Sequence, residues 1–137
     1  MKTYHVVTYH AGDMAFETHI GHHKIFMDRS GNESEDKGPS PKRLLLGTLA
    51  ACTGMDVVLL LTKMRVAFSD FEIVTNAELT AEHPQVYSRV EIIYKIRVDE
   101  VNRKKVEKSV HLSQERYCGV SAMLRKNNPL ETKIEYL

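Results

Sequence analysis

The sequence predicts a single globular domain in which β-strands and helices alternate on either side of one long apolar helix. The chain has 137 residues, of which 42% are apolar and 27% are charged, as in a soluble domain large enough to bury a core. Segments rich in Val, Ile, Tyr and Thr precede and follow the apolar run from Leu44 to Leu61. Because no repeat, linker or shift in composition interrupts the chain, we expect one domain over residues 1–137.

Three short strands are predicted before the apolar run. Residues 2–9 alternate between polar and apolar side chains like a half-buried strand, and two further strands are expected at 14–20 and 23–28. Residues 29–38 contain two glycines and no apolar residue, which is typical of a loop.

The apolar run predicts a helix over roughly residues 41–65. Ser40 is a good N-cap, and Pro41 sits at the first helical position, where its missing N–H costs nothing. The charge of Asp56 near the middle would be costly against lipid, so we expect a buried helix of a soluble fold and no membrane partner. Small residues around Cys52 predict that another helix packs closely there, in this chain or from a second subunit: Gly47, Ala50, Ala51 and Gly54.

Strands and helices alternate again after the long helix. Two strands, two helices and a final strand are predicted at residues 71–80, 86–98, 99–112, 115–126 and 133–137. In the first of these helices, Val101, Val106 and Val110 have the spacing of one buried face. The alternation accounts for the chain to its last residues, so no segment is left for a second domain.

The charge of the chain argues against nucleic acid as a partner. There are 19 basic and 18 acidic residues, a net charge of +1, and no stretch interleaves basic with aromatic residues. The N-terminus lacks the apolar core of a signal peptide, so we expect a cytoplasmic protein. In that compartment a disulfide would be transient and not a structural staple.

No metal or other cofactor is predicted. His19, His22 and His23 surround Gly21 at a hairpin, which favours solvated turn residues over metal ligands. A zinc site built from the cysteines and His111 would lack the short ligand spacings of such sites.

Only two cysteines are present, Cys52 in the long helix and Cys118 near the C-terminus. Cys52 lies about three turns into the helix, beyond the reach of the helix dipole, and apolar surroundings would raise the pKa of its thiol. Asp56, one turn away on the same face, raises this pKa further. A reactive Cys52 therefore needs a cation from elsewhere, such as Arg29, Arg116 or a basic residue of another chain. The residues alone leave two interpretations open, a pair of inert core cysteines or a redox-active pair.

Two sequence blocks around the cysteines resemble a known family. The block from Gly38 to Asp56 reads Gly-Pro-Ser-Pro-Lys-Arg-Leu-Leu-Leu-Gly-Thr-Leu-Ala-Ala-Cys-Thr-Gly-Met-Asp, and it resembles the cysteine helix of the OsmC/Ohr family of osmotically induced and organic hydroperoxide resistance proteins. The block from Leu112 to Leu124, Leu-Ser-Gln-Glu-Arg-Tyr-Cys-Gly-Val-Ser-Ala-Met-Leu, resembles the second-cysteine segment of one branch of that family. The resemblance covers essentially the whole chain. It implies an α+β domain with antiparallel sheets wrapped around a long central Cys-bearing helix, in an intertwined homodimer with active sites at the interface.

The resemblance also implies a thiol peroxidase mechanism. By position, Cys52 matches the peroxidatic cysteine of the family and Cys118 the resolving one. The Cys52 thiolate would attack the O–O bond of an organic hydroperoxide, release an alcohol and become a sulfenic acid. Cys118 would condense with it to a disulfide, which an external dithiol would reduce.

The start of the long helix departs from the family pattern. Members usually carry Glu in its Pro-x-x-Leu segment, where it helps to hold an N-terminal arginine over the reactive thiol. This chain has Lys42 and Arg43 there, and it contains no arginine before Arg29. Arg43 lies about 13 Å from Cys52 along the helix axis and on the opposite face. Our hypothesis is that Arg43 instead supplies the positive charge to Cys52 of the partner subunit.

Two other functions fit the same sequence. One is a non-catalytic module that holds an apolar small molecule in the interface cleft, and the other is a redox sensor whose disulfide changes the shape of the dimer. Glu115 and Arg116, beside Cys118, are either a surface ion pair or charges that act on the thiol.

Overall fold

The computed structural model describes all 137 residues, which form two compact units, Met1–Leu45 and Leu46–Leu137. The first unit is an antiparallel sheet with a loop, and the second contains a three-stranded sheet with helices. The long helix begins in the first unit and continues into the second.

The first unit contains an antiparallel sheet of β1 (Val7–His10), β2 (Phe16–Ile20) and β3 (His23–Met27) in that order. The expectation of a strand over 2–9 is wrong for its first part, because the observed strand begins only at Val7. β1 pairs with β2 alone, and β2 ends where the chain turns back into β3. Alternation in residues 2–6 therefore has no neighbouring backbone with which to form a ladder.

The loop after β3 is held against the sheet by the buried carboxylate of Asp28. Its two oxygens accept from the backbone N–H groups of Arg29, at 2.7 Å, and of Lys37, at 3.0 Å. A Cβ at Gly38 would lie 2.0 Å from the carbonyl oxygen of Phe26, so only glycine permits this close approach. The predicted loop is confirmed, with one short 3₁₀ turn at Glu33–Glu35.

The long helix, α1 (Pro41–Lys63), starts at the predicted proline. The carbonyl of Ser40 accepts the first helical bond, from Leu44 N–H at 3.0 Å, as expected of an N-cap residue. At the other end, Arg65 has a positive φ of 57°, and Val66 N–H donates to the carbonyl of Leu61 at 2.9 Å. This is the bonding pattern of a Schellman motif, which ends the helix just short of the predicted 65.

The second unit contains a sheet of β4 (Ser69–Leu79), β5 (Tyr87–Arg97) and β6 (Leu130–Tyr136) in that order. β4 and β5 are antiparallel, whereas β5 and β6 are parallel. The expectation of purely antiparallel sheets is therefore wrong for this one pairing. Its cause is the helical segment between β5 and β6, which carries the chain back so that β6 runs in the direction of β5.

The core of the second unit lies between one face of this sheet, α1 and the next helix, α2 (Arg103–Leu112). β5 supplies every second residue to it, and all of the following are buried together: Leu49, Val57, Leu61, Val90, Ile92, Tyr94, Ile96, Val106 and Val110. Val101 is 85% exposed, so the prediction that it shares the buried face with Val106 is wrong. It lies in a 3₁₀ turn, Glu100–Asn102, ahead of α2 and off its face.

α1 is apolar well beyond the stripe that it buries. By length and composition alone it could cross a membrane, since an 18-residue window of it has a mean hydropathy of 2.1. Of the residues in that window, 28% are buried. Its buried residues form one face against the sheet: Leu49, Thr53, Gly54, Val57 and Leu61. The prediction of a helix buried in the core therefore holds for one side of α1, and its other side is exposed.

Candidate thiol site

The structure brings the two cysteines together. The Cys118 side chain lies close enough to the Cys52 thiol on α1 to influence its pKa, and both cysteines are free. Cys118 is buried, whereas Cys52 is half-buried. Cys52 is only half-buried because the buried stripe of α1 passes through the adjacent Thr53 and leaves Cys52 at its margin.

Cys118 lies at a break between two helical segments. A π turn, Ser113–Tyr117, precedes it and the helix α3 (Gly119–Arg125) follows. Its backbone is extended, with φ −78° and ψ 100°, so the helix predicted over 115–126 begins only after it. Its thiol accepts from the backbone N–H of Ser121 at 3.4 Å, and its own N–H donates to the carbonyl of Ser113 at 2.8 Å. These bonds fix Cys118 as the N-cap of α3.

The surroundings of Cys52 favour the neutral thiol. Burial raises its pKa most, the neighbouring Cys118 side chain raises it further, and so do the negative charges of Cys118 and Asp56. A hydrogen bond from the backbone of Val120 acts in the opposite direction and lowers the pKa. No cationic side chain of the second unit, Arg116 included, is among these influences. Within this unit Cys52 thus keeps its proton to a higher pH than an ordinary cysteine.

A buried hydrogen-bond chain runs beside the two thiols, with Thr53 at its centre. Ser113 Oγ donates its only hydrogen to Asp56 Oδ2 at 2.8 Å, so in its 2.7 Å contact with Thr53 it must accept from the Thr53 hydroxyl. Thr53 in turn accepts from the Tyr94 hydroxyl at 2.6 Å. Burial raises the pKa of Tyr94, which keeps that hydroxyl protonated as a donor. The direction in which the hydroxyls of Tyr94, Thr53 and Ser113 donate is therefore determined.

Gln114 and Arg125 form the other end of this hydrogen-bond chain. The Gln114 amide nitrogen donates to Thr53 Oγ1 at 3.2 Å and to Tyr94 OH at 3.0 Å. Arg125 donates to the Gln114 side-chain oxygen at 2.8 Å and to its backbone oxygen at 3.0 Å, which fixes the orientation of the amide. All the donors point the same way, from the arginine to the carboxylate of Asp56, and such aligned bonds strengthen one another.

Sequence reasoning identified the two cysteines and Asp56 and missed the rest of this chain. Ser113 and Gln114 lie inside the second sequence block, in its Leu-Ser-Gln start, and Thr53 directly follows Cys52. A threonine in an apolar helix was the available signal, since a buried hydroxyl requires a partner. Nothing in the sequence indicated that the partner would be a tyrosine on β5.

The remaining candidate residues lie elsewhere. Arg43 forms an ion pair with Glu33 in the first unit, and both side chains are exposed. Glu115 and Arg116 are exposed and form no salt bridge in the structure, so the surface ion pair, one of the two alternatives for these residues, is absent.

Of the three histidines of the β2–β3 hairpin, His22 lies in the turn and His23 begins β3. The expectation of a solvated turn residue is wrong for His19, which lies within β2 opposite Lys24 and has its Nε2 buried 3.4 Å from Glu17 Oε2. No group of three or more His, Cys, Asp and Glu side chains is arranged to hold a metal ion.

Residues 34–133 match the family model described as OsmC-like protein. The chain therefore belongs to the OsmC-like family, as the two cysteine blocks indicated, and the α+β fold implied by the resemblance is confirmed.

The chain is similar in sequence or in structure to the following three proteins. Protein YhfA of Escherichia coli K12 is 35% identical over 104 residues, which cover 76% of this chain and 75% of YhfA. A hypothetical protein from Aquifex aeolicus VF5 has a solved structure that matches with a TM-score of 0.88 at 29% identity, over 100% of this chain and 98% of that one. An organic hydroperoxide resistance protein OsmC from Legionella pneumophila matches with a TM-score of 0.67 at 18% identity, over 98% of each chain. At that identity the likeness shows the fold alone.

Replacement of Asp56 by Asn should make Cys52 more reactive near neutral pH. The Asp56 charge raises the Cys52 pKa, so its removal lowers that pKa and shifts the pH profile of alkylation to lower pH. At pH 7 we expect iodoacetamide to modify Cys52 several-fold faster than in the wild type, as followed by mass spectrometry. Asp99→Asn, which neutralises an exposed carboxylate, is the control and should leave the profile in place. A profile that moves to higher pH in Asp56→Asn would contradict the assigned cause.

Proposed function

We propose that this protein is a thiol-dependent peroxidase that reduces organic hydroperoxides in the cytoplasm, with Cys52 as the peroxidatic and Cys118 as the resolving cysteine. The observation that carries the proposal is the proximity of the two cysteines: Thr53, next to Cys52, hydrogen-bonds at 2.7 Å to Ser113, whose carbonyl accepts from Cys118 N–H, and the Cys118 side chain raises the Cys52 pKa. Membership of the OsmC-like family supports it, as does the fold shared with the Legionella pneumophila protein named for organic hydroperoxide resistance. Neither cysteine is engaged in another disulfide, so both thiols are available to a two-cysteine cycle.

The proposed reaction proceeds in three steps. The Cys52 thiolate attacks the outer oxygen of the hydroperoxide, an S–O bond forms as the O–O bond breaks, and the alkoxide takes up a proton to leave as an alcohol. The Cys118 thiolate then attacks the Cys52 sulfur, and the sulfenic oxygen leaves as water. An external dithiol returns two electrons by thiol–disulfide exchange, is itself oxidised to a disulfide, and restores both thiols.

The reaction needs a thiolate, and we propose that Arg43 of the partner subunit provides the cation that stabilises it. Within the second unit nothing positive offsets the influences that raise the Cys52 pKa. The family pattern places an arginine and a glutamate together at the start of the helix. Here Arg43 on α1 and Glu33 on the preceding loop form such a pair, with the two residue types exchanged between helix and loop. As an exposed ion pair it contributes little to stability, which leaves Arg43 available to another chain.

We propose that the protein is a homodimer, joined through the exposed side of α1. That side and β4 form an apolar groove of about 630 Å³. Residues from both elements line it, among them Ala51, Met55, Leu59 and Phe71. Met55 is 72% exposed and Leu59 55% exposed in the single chain. A helix of the same kind from a second copy would cover these side chains, and the small residues beside Cys52 allow it to approach closely.

Treatment with one equivalent of an alkyl hydroperoxide should consume both thiols rapidly. In a stopped-flow mixer with quenching and mass spectrometry, we expect wild-type protein to form the Cys52–Cys118 disulfide. The Cys118→Ser variant should stop at a sulfenic acid on Cys52 that dimedone traps, and Cys52→Ser should not react. Oxidation no faster than that of an unfolded cysteine peptide would contradict the peroxidase.

The outcome of the same experiment also decides between the peroxidase and the second candidate, a module that binds an apolar molecule in the α1–β4 groove. This candidate is favoured by the apolar lining of the groove. It predicts an increase in thermal stability with an apolar ligand and no oxidation of either thiol.

Replacement of Arg43 by Ala should raise the Cys52 pKa in the dimer and slow its oxidation at pH 7. A nearby opposite charge lowers the pKa of an acid by about one unit or more, so its loss should reduce the thiolate fraction at pH 7, and with it the rate, about tenfold or more. The pH profile of alkylation gives the pKa, and stopped-flow oxidation gives the rate. Lys42→Ala removes the same charge at the adjacent position and serves as the control. Identical pKa values in Arg43→Ala and the wild type would eliminate Arg43 as the cation.

Replacement of Leu59 by Glu should separate the dimer. A carboxylate buried without a partner at an apolar interface costs several kcal/mol, so sedimentation should show a monomer at micromolar concentration. Val101→Glu places the same charge on the most exposed valine, outside the groove, and should remain dimeric. A wild-type protein that sediments as a monomer would refute the assembly.

A further inference from the structure

Two hydrogen bonds connect the neighbourhood of Cys52 with the backbone of Cys118. Thr53, the residue after Cys52, donates its hydroxyl to Ser113 Oγ at 2.7 Å. The carbonyl of the same Ser113 accepts from Cys118 N–H at 2.8 Å. Ser113 thus holds α1 through its side chain and the second cysteine through its main chain.

We propose that the Thr53–Ser113 hydrogen bond sets the position of Cys118 against Cys52, so that Thr53 and Ser113 are positioning residues for formation of the disulfide. The inference deepens the proposed function, because it concerns the same two thiols. It assigns a role to a polar pair that touches neither the hydroperoxide nor the reductant.

The burial of the pair is the first argument for this role. Thr53 and Ser113 are both 0% exposed, so water cannot replace either partner of their bond. A buried hydroxyl without a partner is unfavourable, and the two side chains therefore stay together as long as the second unit is folded. Because this bond persists, it can hold the turn that contains Ser113 in a fixed position against α1.

The completeness of the surrounding chain is the second argument. Asp56 takes the hydrogen of Ser113, and Gln114 and Tyr94 donate to Thr53. Neither hydroxyl can turn away without the loss of a further bond. The turn that precedes Cys118 is thereby held at one position along α1.

The geometry of a disulfide shows why the position of this turn matters. A disulfide requires its two Cα atoms to lie within about 7 Å of each other and its Cβ atoms to point together. Cys118 sits in an extended link between two helical segments, where a small rotation would move its sulfur away. If the Thr53–Ser113 bond holds that link, its loss lowers the effective concentration of one thiol at the other.

The test is the equilibrium between the thiol pair and glutathione, in which hydroperoxide plays no part. Glutathione disulfide takes two electrons and two protons from the pair, and the products are the protein disulfide and two molecules of glutathione. Samples equilibrated at fixed pH are quenched with acid, alkylated and counted by mass spectrometry. In Thr53→Val, which keeps the shape of the side chain and removes the hydroxyl, we expect the equilibrium constant for the disulfide to fall at least tenfold, which corresponds to about 30 mV.

Three further variants separate position from general stability. Ser113→Ala should show the same fall, and it carries the test should Thr53→Val not fold. Thr53→Ser keeps the hydroxyl and should restore the equilibrium constant to within threefold of the wild type. Val90→Ala opens a cavity in the core at a side chain that is not a member of the hydrogen-bond chain, so it should lower the unfolding temperature and leave the constant unchanged.

Three results would overturn the proposal. They are an unchanged constant in both Thr53→Val and Ser113→Ala, an equal fall in Val90→Ala, and a wild-type protein that forms only mixed disulfides with glutathione. A wild-type disulfide that depends on Thr53 in a protein inert to hydroperoxides would uphold the positioning role and refute only the peroxidase.

Discussion

The second unit depends on one constraint, the need to satisfy a hydroxyl buried in the middle of an apolar helix. Thr53 lies on the stripe of α1 that packs against the sheet, where leucine and valine occupy the neighbouring buried positions. Its hydroxyl cannot reach water there, so partners must come from β5 and from the turn before Cys118. Tyr94 and Ser113 fill these roles. The packing of the helix, the position of the turn and the placement of the second cysteine follow from the same requirement.

The same chain creates an electrostatic conflict at the thiol that it helps to place. Its directed bonds end on the carboxylate of Asp56, which fixes the role of each hydroxyl between the two ends. That carboxylate is also one of the groups that raise the Cys52 pKa. Arg125, the cation of the chain, is engaged by Gln114 at the far end. The arrangement that brings the two cysteines together therefore opposes ionisation of Cys52, and a reactive thiolate there would require a positive charge from beyond this unit.

The sequence was informative where local rules act and uninformative where distant segments meet. The N-cap and proline at the start of α1 and the two cysteine blocks were readable, because each is written in consecutive residues. Val101 was misplaced because helical spacing was extended through a 3₁₀ turn, where the same spacing no longer marks one face. The direction of β6 depends on how the helical crossover returns the chain, which no local pattern records. The bond of Thr53 to Ser113 was not predicted, because it joins residues that only the folded sheet and helices bring together.

The exposed side of α1 connects these points. A helix that needed only to cover the sheet would be polar on its outer face, yet α1 exposes Met55, Val58 and Leu59 there. Cys52 lies at the margin between this apolar side and the buried stripe. A surface that covers the exposed side would desolvate the thiol further, which disfavours the thiolate unless the same surface brings a cation. A reactive Cys52 would therefore need a covering surface that also carries a positive charge, and a second copy that presents Arg43 beside its own apolar helix would satisfy both conditions with one sequence.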